Sequence, residues 1–150
     1  MDMDNDIREF GNALGNCALA RNWTGVHGHL APWMAEALTV DDVRRFFESQ
    51  YRGIARDAPG LVYPDSTKVE LGGNGFTDVS ELRESHPVHE SVSDENLRYW
   101  LRMLLPTSDA QRETLALDFL AEVWIAVVST PAGLRVGYWS DNGDEASVYS

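Results

Sequence analysis

Residues 115–139 read LALDFLAEVWIAVVST, then PAG, then LRVGYW. Odd positions Leu115, Leu117, Phe119, Ala121, Val123, Ile125 and Val127 are all apolar, while even positions carry Asp118, Glu122 and Trp124. Alternation with a period of two is the pattern of a β-strand with one buried face. Thr130-Pro131-Ala132-Gly133-Leu134 then reads as a three-residue hairpin loop: proline presets the turn and Gly133 takes a positive φ. Thr130 opposite Leu134 sets Ile125 opposite Trp139 and Ala126 opposite Tyr138.

A third strand is expected over residues 97–105. Leu97, Tyr99, Leu101, Met103 and Leu105 fall on one face, and Arg98, Trp100, Arg102 and Leu104 on the other. Pairing Leu105 with Leu115 puts Arg102 opposite Asp118, Arg98 opposite Glu122 and Trp100 opposite Leu120. Two opposite-charge pairs come from this one register, each contributing about 0.2–1 kcal/mol.

Helices precede the strands. Ile7, Phe10, Leu14 and Cys17 form one stripe over residues 5–20. Asn22 is placed to cap a short helix over residues 23–30, which Pro32 ends or redirects. Thr39 is placed to cap the next helix, with Asp41 and Asp42 in its first turn. Val43, Phe46, Phe47, Gln50, Tyr51 and Ile54 give its apolar side, and Arg44, Arg45, Glu48 and Arg52 its solvent side. Residues 59–95 hold PG, YPDS, LGGNG and HPVH, all turn chemistry. Short strands at 61–63 and 68–71 and a helical turn at 79–84, capped by Asp78 or Ser80, fit there. The expected fold class is α+β: one domain over residues 1–150, with N-terminal helices packed on an antiparallel sheet.

On that register the odd face is the core face. The even face gathers Arg98, Trp100, Arg102, Asp118, Glu122, Trp124 and Tyr138, with Leu120. A solvated sheet face stitched by ion pairs would look the same. Tryptophan, tyrosine and arginine are the residues enriched in interface cores, however, so we read the set as a binding face. A second copy of the chain or another protein would meet it.

Charge limits the partners. The chain has 24 acidic and 12 basic residues, a net −12. Such a field repels nucleic acid and anionic membranes and attracts a basic protein. No apolar run approaches the roughly 18 residues of a membrane span. The start, MDMDNDIREF, lacks the basic and apolar blocks of a signal peptide, so a cytoplasmic location is expected. Cys17 is the only cysteine and falls on the apolar side of a helix, as a buried, inert thiol would.

Chemistry-bearing motifs are sparse. His27-Gly28-His29 and His86-Pro87-Val88-His89-Glu90 lack zinc-site spacing, so no metal or cofactor is expected. LGGNG lacks the lysine and helix of a phosphate loop and reads as a turn. His27, Tyr63 and Asp65 are the nearest acid–base candidates, all on loops or helix edges, and we assign no catalytic residue.

The segment Ala18-Leu19-Ala20-Arg21-Asn22-Trp23, then Val26-His27, then Leu30-Ala31-Pro32, resembles a phrase common in NTF2-like and SnoaL-like proteins. The hairpin from Val123 to Trp139 is similar to the last strands of that superfamily. The resemblance covers roughly the first 60 and the last 50 residues. It implies a cystatin-like cone of helices and curved sheet. The superfamily includes isomerases, dehydratases, polyketide cyclases, noncatalytic binding modules and immunity proteins, so it does not select a function. Its enzymes place a histidine–aspartate pair inside the cone, whereas the odd face here carries neither residue. The expected function is therefore a noncatalytic protein-binding domain of immunity or regulatory type, the alternative being a SnoaL-like enzyme or small-molecule carrier.

Overall fold

The computed structural model describes residues 3–54, 67–71, 78–106 and 119–141. The expected strand at 61–63, the glycine-rich turn, Tyr63, Asp65 and residues 115–118, Asp118 included, lie outside these residues.

Helix α1 (Met3–Leu19) buries Ile7, Leu14 and Ala18. It ends in a Schellman motif: the Asn22 N–H donates to the Cys17 carbonyl and the Arg21 N–H to the Ala18 carbonyl, at 2.8 and 3.1 Å. Arg21 takes the left-handed conformation the motif requires, at φ 59°. Asn22 then caps α2 (Trp23–His27), accepting from the Gly25 N–H at 3.0 Å. Proline at the next break does not end a helix but starts one: Pro32 opens α3 (Pro32–Ala37), where its missing N–H costs nothing. Helix α4 (Val40–Ile54) begins with a capping box. The Thr39 hydroxyl accepts from the Asp42 N–H, and the Asp42 carboxylate accepts from the Thr39 N–H. Glu48, expected on its solvent side, is buried and accepts from Arg44 at 2.9 Å.

The sheet is antiparallel, in the order β1 (Lys68–Leu71), β2 (Leu97–Pro106), β3 (Phe119–Thr130), β4 (Gly133–Asp141). α5 (Val79–Ser85), capped by the Asp78 carboxylate, lies between β1 and β2 in the chain. The architecture is the expected α+β arrangement of helices against an antiparallel sheet.

Two registers differ in detail. Thr130 pairs with Gly133, not Leu134, so Pro131 and Ala132 alone make the turn, and Gly133 has φ +113°. An extra residue, Gly137, bulges before Tyr138 and restores the expected Ala126–Tyr138 and Ile125–Trp139 pairs. The β2–β3 register is displaced by six residues, with Arg102 opposite Trp124 rather than Asp118 and Trp100 opposite Ala126 rather than Leu120. An even displacement keeps each side chain on its expected face. Arg98 is the exception: it sits in an irregularity between Leu97 and Tyr99, and Leu97 turns to the other face. The Arg98–Glu122 pair therefore does not form.

The odd face meets α1, α2 and α4. Ile7, Leu14, Val26, Phe47, Leu101, Met103, Ile125 and Val127 close this core. The even face is not open as expected. Residues 78–96 lie across part of it, where Val79, Leu82, Val88 and Val92 form a second core with Trp100, Ala126 and Val128.

Candidate binding face

Three rows cross the even face. Trp100, Ala126 and Tyr138 form the first, Glu70, Arg102, Trp124 and Ser140 the second, and Lys68, Leu104 and Glu122 the third. Each row takes one residue from successive strands: alternation puts its members on one face, and the register sets which of them stand side by side.

The first row is aromatic. Trp100 and Tyr138 stand on strands that are not neighbours, yet their rings stack at 6.4 Å because Ala126 between them is small. Trp124 stacks on Trp100 at 6.2 Å. His86, just beyond α5, packs against the Trp100 and Tyr138 rings, and its Nδ1 lies 3.1 Å from the Tyr138 hydroxyl.

The second row is charged. The Arg102 Nε donates to Glu122 at 2.8 Å, and its guanidinium lies 5.6 Å from the centre of the Trp124 ring. Glu70 stands 3.7 Å from Arg102 and 3.8 Å from Lys68. The hydrogen bond to Glu122 raises the Arg102 pKa further above its ordinary value against the opposing effect of burial. At the end of the row the buried Ser140 hydroxyl has no hydrogen-bond partner among the described residues.

The expected face is therefore split. Trp100 is only 8% exposed and belongs to the second core. Arg102, Glu122, Trp124 and Tyr138 are half-buried. Arg98 is exposed at its irregularity, donating to the Glu95 carbonyl. Sequence reasoning missed the cover, although Val79 and Leu82 at helical spacing, followed by Val88 and Val92, signal a buried stripe. Fully burying such side chains contributes about 1.5–3 kcal/mol each, so this segment is part of the fold rather than a lid.

The histidines are dispersed. His27 Nε2 donates to the Leu38 and Ala35 carbonyls, and His29 Nδ1 to the Gly25 carbonyl. His89 stacks on Trp33, and its Nδ1 accepts from the Ser91 N–H. No group of three or more histidine, cysteine or acidic residues able to hold a metal occurs among the described residues. Nor, among them, is any helix long and apolar enough to cross a membrane. In comparisons with family models, curated proteins and solved structures, the chain finds no match.

Proposed function

We propose that the chain is a noncatalytic, NTF2-like protein-binding domain, of immunity or regulatory type, that meets a basic protein partner over the Arg102–Trp124–Tyr138 side of its sheet. The observation that carries this reading is the apolar core that the described residues form between helices and sheet. Where the resembled enzymes keep a histidine–aspartate pair, this core holds Phe47, Leu101, Met103 and Ile125, each at most 1% exposed. An apolar core there supports a contact role for the outer sheet face, where Arg102, Trp124 and Tyr138 are half-buried. The net charge of −12 favours a basic partner over a second copy at this face. Burial of Trp100 also shrinks the aromatic patch that self-association there would need.

Affinity capture with the wild type and Trp124→Ala tests the reading. Trp124 is half-buried, so a denaturant melt of both proteins accompanies the capture and separates lost contact from lost fold. The expected result is a defined basic partner retained at low salt, released at high salt, and held less well by the variant. Equal capture by both proteins would count against this face. A toxin gene beside the coding sequence would support the immunity role.

Glu48 favours a second reading, as a carrier or enzyme of the SnoaL-like kind. It is the one buried carboxylate among the described residues, on α4 next to Phe47. Ligand-induced stabilisation abolished by Glu48→Gln would support it.

A further inference from the structure

The two edges of the sheet are treated differently. On β4, the Val136 N–H donates to the His29 carbonyl, the Ala31 N–H donates to the Val136 carbonyl, and Trp33 Nε1 donates to the Gly137 carbonyl. Residues 29–33 thus tie down that edge. β1 is the opposite edge strand, and among the described residues no backbone group bonds to its outer side. Open edges invite strand addition, and a lone lysine is a common safeguard because it repels its own copy.

Here the charges run the other way. Lys68-Val69-Glu70 is a charge palindrome about Val69. In an antiparallel pairing of two copies centred on Val69, Lys68 of each faces Glu70 of the other. Both side chains are accessible, Lys68 at 66% and Glu70 at 39%. Glu70 meets its own cations only at 3.7 and 3.8 Å, leaving its oxygens able to accept a closer donor.

The helix above the edge fits as well. A Cβ on Gly11 would meet Val69 and Leu101, and one on Gly15 would meet Thr67 and Met103, so α1 lies over the seam between β1 and β2. A two-fold axis through the paired edges leaves both α1 helices on the same side. With strands about 4.8 Å apart, the two helices then run roughly 10 Å from one another, an ordinary helix-packing distance. Helix contact enlarges an interface that four-residue strands alone would leave small.

We propose that two copies of this chain join along β1, antiparallel about Val69, into one continuous sheet with cross-copy Lys68–Glu70 pairs and abutting α1 helices. This interface adjoins the face assigned above to a basic partner, since Glu70 stands 3.7 Å from Arg102, but it is made along the outer edge of β1 and not over Trp124 and Tyr138.

Sedimentation over a concentration series tests it. The wild type should self-associate, and Lys68→Glu and Glu70→Lys should each weaken association roughly tenfold by setting like charges opposite. The combined K68E/E70K variant should restore it, because the palindrome is inverted rather than broken. Amide exchange on the wild type gives a reading without variants: residues 68–71 should become more protected as concentration rises. A wild type that stays monomeric at millimolar concentration overturns the proposal. So does self-association unchanged by either single variant, a combined variant that fails to recover, or exchange at 68–71 independent of concentration. Trp124→Ala should leave self-association untouched, and a loss there with Lys68→Glu unaffected would overturn the edge in favour of the face.

Discussion

Arg102 and Glu122 bond diagonally across two strands: the guanidinium bypasses its direct neighbour, Trp124, to reach a carboxylate two residues along β3 at 2.8 Å. The arrangement places the cation over the Trp124 ring on its way. The Arg102 side chain is 29% exposed, so loss of Glu122 leaves a partly buried cation with the longer 3.7 Å contact to Glu70. Glu122→Ala is expected to cost about 1.5–3 kcal/mol in denaturant unfolding. In an Arg102→Met background the same change should cost much less, and a double-mutant cycle measures the difference.

The start of α4 should make stability depend on acid. The Thr39 backbone N–H, and then its hydroxyl, hold the Asp42 carboxyl below its ordinary pKa, and Arg44 and Arg45 do the same for Asp41. A depressed folded-state pKa stabilises the fold above the unfolded value, near 3.8, and the contribution is lost as pH falls through the folded value. Asp42→Ala should therefore be less stable than wild type at pH 7. The gap should close progressively below about pH 4, as read from urea midpoints.

Arg21 bears a conformational cost that glycine would not. A non-glycine residue in the left-handed region costs about 1 kcal/mol or more. Arg21→Gly keeps the Schellman hydrogen bonds and should raise stability by about 0.5–1 kcal/mol, seen as a higher melting temperature.

Gly137 is required for space. A Cβ there would come within 2.5 Å of the Val128 side chain and 3.4 Å of the Trp33 ring. Gly137→Ala should destabilise by about 1–3 kcal/mol. It should also loosen the Trp33 Nε1 bond to the Gly137 carbonyl, which Trp fluorescence and exchange at residues 29–33 would report.

The helices and the parity of the strands were legible because capping residues and periodicity are local. Asn22, Thr39 and Asp78 cap as their positions demand, and Leu101, Met103, Val123 and Ile125 face the helices as alternation demands. Register was not, because the loop between β2 and β3 constrains it weakly and two charge pairs fit several alignments. The bulge at Gly137 and the irregularity at Arg98 carry no sequence mark beyond a glycine in one case. Of the candidate face, Trp100 was misplaced because strand patterning says which side a residue faces, not what lies on top. That cover comes from residues 78–96, whose turn-rich composition hides a four-residue apolar set.

Ala126 gives the far side of the sheet its character. It is the one small side chain between Trp100 and Tyr138, and their rings close over it like two leaves above a hinge pin. A valine or leucine at this single position would wedge them apart and push His86 off both. The aromatic lining of a whole sheet face thus hangs on the absence of two methyl groups. Drift at this interior alanine would reshape the outer surface more than most changes made on that surface itself.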